Sequence, residues 1–292
     1  VATPEAPAGL PVVEVQSSLQ GFAANLPAPL NKAAASVWPL KVTYRLEDAQ
    51  GHTDALVVDV ANPQSAGLSD GAPWLKVDLR RDVTGADAKV QRGLISLMQM
   101  TAGAAQAMPV LPAKGVALQV VVPTLELDVW QALGKSFQAE SGGHASADAA
   151  GGYVPDSMLI KTGTLSYQQR HLRDVSATVA HPAPGVWRAQ LDARQISGQI
   201  EWLPDTAAGA GPAQPGSRLV ARLARLSIPA AEAQALQEQA TEQMLSADKA
   251  GQDVPALDIV IDQFDWRGVS LGRLEVEAVN RMVAGASGAS VP

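Results

Sequence analysis

The sequence predicts an all-β, mainly antiparallel fold, and three observations support this prediction. Apolar and polar residues alternate in short runs throughout the 292 residues, as they do in half-buried strands. Each run has one apolar and one polar face, whereas buried parallel strands read as continuous apolar runs. The runs do not alternate regularly with helical segments, so a doubly wound α/β fold is not expected.

The alternation places strands in both halves of the chain. Val42, Tyr44 and Leu46 alternate with polar residues, and Leu75, Val77 and Leu79 do the same after the Gly/Pro-rich loop of residues 62–73. Strands are expected near residues 13–19, 41–47, 56–60, 74–80, 187–194, 218–223, 257–262 and 273–278. Phe264 and Trp266 lie an even number of positions from the neighbouring aspartates, so strict alternation would place these aromatic side chains on the charged face. A β-bulge near Gln263 is therefore predicted, because one extra residue returns them to the apolar face.

Two helices are predicted between strands. Residues 128–138 carry an apolar stripe, and residues 229–247 begin with a Pro and are rich in Ala, Glu and Gln. The stripe of the first helix consists of Val129, Leu133 and Phe137.

These elements suggest a division of the chain into segments. A first β segment covers residues 1–139 and ends in the first helix, and a flexible, low-complexity loop covers residues 140–156. A second β segment covers residues 157–280 and includes the second helix, and residues 281–292 form a disordered tail.

Composition excludes several classes of protein. The net charge is −7, and no cluster of Lys and Arg suits a phosphate backbone, so no nucleic-acid partner is expected. The absence of Cys excludes disulfides and thiolate chemistry. The four His residues lack metal-ligand spacing, so neither a metal nor a cofactor is expected.

Two matches to the nucleophile-elbow pattern Gly-x-Ser-x-Gly occur, around Ser69 and Ser270. That elbow requires a strand, a tight turn and then a helix, but a strand follows each match here. Both matches are therefore interpreted as turns, and the chain is not expected to be an enzyme. A hydrolase that uses Ser69 or Ser270 is kept as a further hypothesis, after the two that are described below.

Several stretches resemble one family, the large AsmA-like envelope proteins of Gram-negative bacteria, specifically the YhdP type. The first is "LQGFAANLPAPLNKAAASVWPLKV" from residue 19, and the last is "SRLVARLARLSIP" from residue 217. Between them, "LPAKGVALQVVVPTLELDVWQAL" from residue 111 looks like the family's Gly-led strand pair. The stretch "GVWRAQLDARQISGQIEW" from residue 185 looks like its strand and Gly-marked turn. The resemblance implies a long, curved β-sheet forming a hydrophobic groove. It also implies phospholipid transport between the inner and outer membranes.

The resemblance also implies a location and partners. The chain is expected in the periplasm, as a middle or C-terminal segment of a larger protein tethered to the inner membrane by parts outside this sequence. Its expected partners are phospholipid acyl chains, the remainder of its own chain and the inner-membrane anchor.

The apolar faces of the predicted strands supply the candidate groove residues. These are Val42, Tyr44, Leu46, Leu75, Val77, Leu79, Leu191, Ile259, Ile261, Leu274 and Val276. The opposite face, which includes Asp258 and Glu277, is expected to face water. Sheet-on-sheet packing explains alternation equally well, so the alternative is a structural envelope module with an internally packed core.

Overall fold

The computed structural model describes residues 10–61, 74–85, 87–99, 110–140, 152–168, 170–183, 185–204, 217–230, 233–234 and 255–278, and the side chains of all of these except residues 137–140. The chain forms two compact units, residues 1–180 and 181–292. Thirteen strands and one α-helix lie within the described residues. The predicted all-β fold class is therefore confirmed.

The first unit contains eight strands and the helix. Their bounds are β1 Val12–Ser17, β2 Leu40–Leu46, β3 Thr53–Val60, β4 Leu75–Asp82, β5 Lys89–Met98, β6 Gly115–Glu126, α1 Leu127–Glu140, β7 Ser157–Tyr167 and β8 Arg170–Ala183, which ends just past the unit boundary. The second unit contains five strands. They are β9 Val186–Asp192, β10 Ile196–Leu203, β11 Arg218–Ile228, β12 Ala256–Trp266 and β13 Val269–Ala278.

Within each unit the strands are hydrogen-bonded in the order of the chain. Most neighbours are antiparallel, but β5–β6, β6–β7 and β11–β12 are parallel. A parallel neighbour needs a crossover connection, and α1 lies in the crossover between β6 and β7. The second predicted helix falls in the crossover between β11 and β12. Pro229 is not helical, residues 230, 233 and 234 are helical, and the rest of that prediction lies outside the described residues.

The extent of α1 agrees with the sequence. Of the predicted stripe, Leu133 is half-buried and the side chain of Phe137 lies outside the described side chains, so only the placement of Val129 is wrong. Val129 of the predicted stripe is exposed, and the helix packs on the sheet through Trp130. The reason is that α1 begins directly after β6, with no loop between them, so the end of the strand sets which side of the helix meets the sheet. Trp130 contacts a cluster that contains Val122 and Leu125 of that strand.

Two glycine-marked motifs also differ from their sequence interpretation. The stretch after Gly115 forms one 12-residue strand rather than a strand pair. Gly198 lies inside β10, whereas the turn before that strand is closed by the bond from Ala193 N to Ile196 O, 2.8 Å. The φ of Gly198 is +149°, and an added Cβ would lie 2.3 Å from the Arg222 carbonyl oxygen. Only Gly fits this close approach of two strands.

The loop between β2 and β3 is held by one carboxylate. Asp48 accepts hydrogen bonds from the backbone N–H of His52, at 3.0 Å, and of Thr53, at 2.6 Å, and from the Thr53 hydroxyl. Chiefly the bond from the Thr53 side chain lowers the pKa of Asp48 to about 2. This carboxylate stabilises the turn because it accepts hydrogen bonds from backbone N–H groups that lie outside the hydrogen-bond pattern of the sheet.

Replacing Gly198 with Ala is expected to lower the free energy of unfolding by roughly 2–4 kcal/mol, because the new methyl group meets backbone atoms at a strained φ. As a control, Gly134→Ala lies in α1 with nothing within 4 Å of the added Cβ. It should raise stability by roughly 0.5–1 kcal/mol. Denaturant unfolding measures both, and equal effects from the two substitutions would contradict this explanation.

The stability of the folded chain should fall as the pH is lowered from about 4 through about 2, in part because of Asp48. The folded-state pKa of this carboxyl is lower than its unfolded value, so its contribution is present above the unfolded pKa and lost on protonation. Asp48→Asn should be less stable at pH 7 and show a shallower decline. Melting temperatures between pH 2 and 5 test this, and parallel curves would contradict it.

Candidate functional site: the apolar faces of the two sheet units

One face of the first unit is lined by apolar side chains in register. Backbone pairing aligns residues of all eight strands into a single row. The row consists of Val15, Val42, Val58, Val77, Ile95, Leu118, Met158 and Val179. A second row on the same face runs beside it and consists of Ser17, Leu40, Val60, Leu75, Leu97, Val120, Ile160 and Ala177. We call this surface apolar face 1.

All six candidates predicted in the first unit lie on apolar face 1. Val42 and Val77 belong to the first row and Leu75 to the second, while Tyr44 pairs through Leu56 with Leu79 in a third. Leu46 lies at the margin, opposite Asp54. Leu79 is buried, and the other five are half-buried. Their shared face is thus established, whereas contact with lipid stays a prediction.

Apolar face 1 is not covered by a second sheet within the described part of the chain. The eight strands of the first unit are hydrogen-bonded neighbours in one sheet, and each residue of the first row is exposed or half-buried. This geometry leaves much of the apolar row partly accessible. It differs from a β-sandwich, in which facing sheets bury each other's apolar side chains.

Charged residues dominate part of the opposite face of the first unit. Lys41 pairs with Glu14 at 2.8 Å, and Lys76 pairs with Asp59 at 3.3 Å. Such exposed or half-buried pairs contribute little stability. They make this part of the opposite face polar, but on β5 the same face carries the buried residues Leu94 and Met98, so it is polar only in part.

At one margin of apolar face 1, three tryptophans pack together with the ends of the strands. Trp38 and Trp74 meet edge to face with ring centroids 5.0 Å apart, and Trp130 of α1 packs against the same buried residues. We call these three residues the Trp cluster. Leu40, Leu75 and Val120 of the second row contact the cluster core, so the cluster is continuous with the face.

The segment that carries Trp38 is organised by a buried lysine. Lys32 is 3% exposed, and its Nζ donates hydrogen bonds to the carbonyl oxygens of Phe22, Ala33 and Ser36 at 2.7–3.1 Å. Its ammonium also lies 5.9 Å from the centre of the Trp38 ring. The lysine of the "LPAPLNK" motif therefore has a structural role, because all three of its donors are used.

At the other margin, a buried ion pair closes the face. Asp54 is 1% exposed and accepts two hydrogen bonds from Arg81, at 2.9 Å from Nε and 2.7 Å from Nη2. The Asp54 carboxylate raises the pKa of Arg81 above its usual value. Local sequence patterns do not predict this pair, because Asp54 and Arg81 are separated by 27 positions.

The second unit has an apolar face of the same kind, which we call apolar face 2. One row consists of Leu191, Gly198, Leu223, Ile261 and Leu274. The next consists of Ala189, Ile200, Ala221, Ile259 and Val276. All five candidates predicted in this unit therefore share one face. Ile261 is buried in a cluster with Ala221 and Leu223, and Val276 is 37% exposed.

The β-bulge expected near Gln263 is present. Ile261 pairs with Leu274, but Phe264 pairs with Gly272, so β12 has one extra residue between these pairs. The parity change brings Phe264 onto apolar face 2, where it packs against the cluster of Ile261. An extra residue at the same level of β11 likewise returns Leu226 to this face.

The opposite face of the second unit is charged. Arg218 and Arg222 both contact Asp258, at 2.9 and 2.8 Å, and Arg188 contacts Glu201 at 2.7 Å. A hydrogen bond from Arg222 is the main cause of the lowered pKa of Asp258. The arginines also offset the repulsion between Asp258 and Glu277, which are cross-strand partners.

The chemical motifs of the sequence have ordinary structural roles where they are described. Arg267 and Gly268 form the turn before β13 with φ values of 54° and 82°, and Ser270 lies in that strand. Its match is thus a hairpin turn with no helix after it, and the match around Ser69 lies outside the described residues. The described residues contain no group of His, Asp and Glu that could hold a metal ion.

Part of apolar face 1 was missed in the sequence. Ile95, Leu118 and Val120 lie on β5 and β6, whose parallel pairing does not follow from alternation alone. The stretch "VALQVVV" did contain a signal, because its apolar residues occupy both odd and even positions. A continuous apolar run of this kind is typical of a buried parallel strand. Trp74 was also missed as a cluster residue, because it lies just before the alternating part of β4.

A sheet unit with one continuous apolar face and an ion-paired opposite face defines a class of β protein that presents an apolar surface. Residues 8–283 match the sequence model of the YhdP protein family, so this chain belongs to the YhdP family, a group of AsmA-like envelope proteins. Comparison with curated proteins and with solved structures finds no match. No helix among the described residues has the length and apolar character needed to cross a membrane.

Replacing Asp54 with Asn should lower the free energy of unfolding by about 3–5 kcal/mol, because it leaves the Arg81 charge without its buried partner. Glu201→Gln is the matched control, since it breaks the exposed pair with Arg188 and should cost less than about 1 kcal/mol. Denaturant unfolding of both variants measures the difference. Similar losses would show that the Asp54–Arg81 pair behaves as a surface pair.

Proposed function

We propose that this chain forms part of a phospholipid path between the inner and outer membranes, in which acyl chains lie on the apolar faces of the sheet. The observation that carries the proposal is the apolar row of eight residues on apolar face 1, half-open to its surroundings. Membership of the YhdP family supports an envelope setting. The periplasm and a tether at the inner membrane complete the proposed location.

The proposed binding is non-specific and passive. Burying an acyl chain contributes about 0.8 kcal/mol for each CH₂ group, without any polar contact. A surface of Val, Leu and Ile offers similar contacts along its length, so a chain can move from one row position to the next at little cost. No covalent step is part of this proposal.

The charged face supports this arrangement. Its ion pairs, such as Arg222 with Asp258, favour contact with water, whereas the rows on the other side favour hydrocarbon. A headgroup at the margin of the apolar face would stay hydrated while its acyl chains lie on the rows.

A structural envelope module remains the alternative function. It requires the apolar faces to be filled from within the protein. The buried cluster of Ile261 and the Trp cluster are filled in this way, but the half-buried positions between the margins favour an external apolar ligand.

A photoreactive residue at Val276 should crosslink to phospholipid in Gram-negative cells. Val276 lies on apolar face 2 opposite Ile259, and its neighbour Glu277 lies on the charged face opposite Asp258. Both positions are exposed, so Glu277 is a matched control for accessibility. Mass spectrometry of the adducts should identify lipid at Val276 and none at Glu277.

The same comparison in the first unit uses Val42 on apolar face 1 and Thr43 on the opposite face, both of which are half-buried. Lipid at the first position of each pair supports the proposal for both units. Absence of lipid at Val276 and Val42, or equal labelling within each pair, would favour the structural alternative.

A further inference from the structure

Two buried indole N–H groups in the Trp cluster have no acceptor. Trp74 is 5% exposed, and its Nε1 and that of Trp130 are closed to solvent without a hydrogen-bond partner among the described residues. Buried indole donors usually find a partner, because an unpaired donor destabilises the folded state. Two such donors in one cluster, at the margin of an apolar face, suggest an acceptor that arrives with a ligand.

The position of the cluster limits what that ligand can be. The cluster core contacts Leu40, Leu75 and Val120, which belong to the second row of apolar face 1. A molecule that reaches the two indoles can therefore lie on the face at the same time. Such a molecule has a long apolar part and oxygen acceptors at one end.

The acceptor should be uncharged. The donors lie among Val60, Leu97 and Val122, which are all buried, and such surroundings disfavour an ionised group. The nearby cation Lys32 could offset an anion, but its three donors already bind backbone carbonyls. These facts favour a carbonyl oxygen over a phosphate.

We propose that Trp74 and Trp130 donate hydrogen bonds to the ester carbonyl oxygens of a glycerolipid whose acyl chains lie on apolar face 1. This inference rests on the proposed function and adds a position at which the lipid is recognised. Both nitrogens are closed to solvent, so binding requires a displacement that opens the cluster. Trp130 lies on α1, which packs on the sheet through this residue, so α1 is the element that would move.

Matched lipids test the proposal. A diester phospholipid and its diether analogue share headgroup and chains, but only the diester has carbonyl oxygens. Wild-type protein should bind the diester about three- to tenfold more tightly in a titration with detergent-solubilised lipid, as expected for one or two hydrogen bonds. Trp74→Phe and Trp130→Phe should each reduce that preference and leave diether binding unchanged.

Trp202→Phe is the control, since Trp202 lies in the second unit and is 37% exposed. It should keep the wild-type preference. Trp74→Phe removes an unpaired buried donor but also leaves a smaller ring in the core, so the folding of this variant is checked by its melting temperature. If Trp74→Phe does not fold, Trp130→Phe serves as the second variant.

The outcomes separate the inference from the proposed function. Equal wild-type binding of diester and diether, or an unchanged preference in both folded variants, overturns the inference while leaving the lipid path in place. Wild-type binding of neither lipid overturns both. A preference that depends on Trp74 and Trp130 but not on Trp202 supports the carbonyl site.

Discussion

The register of the backbone ladder is the constraint on which the rest of the structure depends. Side chains alternate between the two faces of a strand, so a slip of one residue between neighbours would turn an entire strand's apolar set to the charged side. In the first unit the ladder holds Val42, Val77 and Leu118 in one row across antiparallel and parallel pairs alike. The apolar face therefore exists only because successive pairings agree in phase.

Two strands, β11 and β12, each contain one extra residue at the point where strict alternation would turn their apolar side chains away from the apolar face. The extra residues in β11 and β12 lie at the same level of a parallel pair, so both strands change parity together and Leu226 and Phe264 return to the apolar face. The neighbouring strand β10 accommodates this through Gly198, whose missing Cβ lets the Arg222 carbonyl approach. A bulge and a glycine thus act as one device that keeps the face continuous.

The fold class and the position of the candidate residues followed from the sequence, because alternation reports which side chains share a face. Ile259, Ile261, Leu274 and Val276 were assigned together on that basis, and the ladder pairs them. What could not be predicted depends on contacts distant in sequence. Parallel pairing of β5 with β6, the Asp54–Arg81 pair and the packing of Trp130 rather than Val129 are set by tertiary structure, to which local periodicity is insensitive.

The two margins of apolar face 1 differ in a way that bears on recognition. The rows between them offer the same aliphatic contact at each strand, so they provide no chemical selectivity between apolar groups. The Asp54–Arg81 margin is closed, because each charge already has its partner in a bidentate pair. The Trp margin contains buried donors with no acceptor among the described residues. Of these two margins, the Trp cluster is therefore the one with buried donors left to pair, and recognition of a ligand's polar group there is what the proposed carbonyl site supplies.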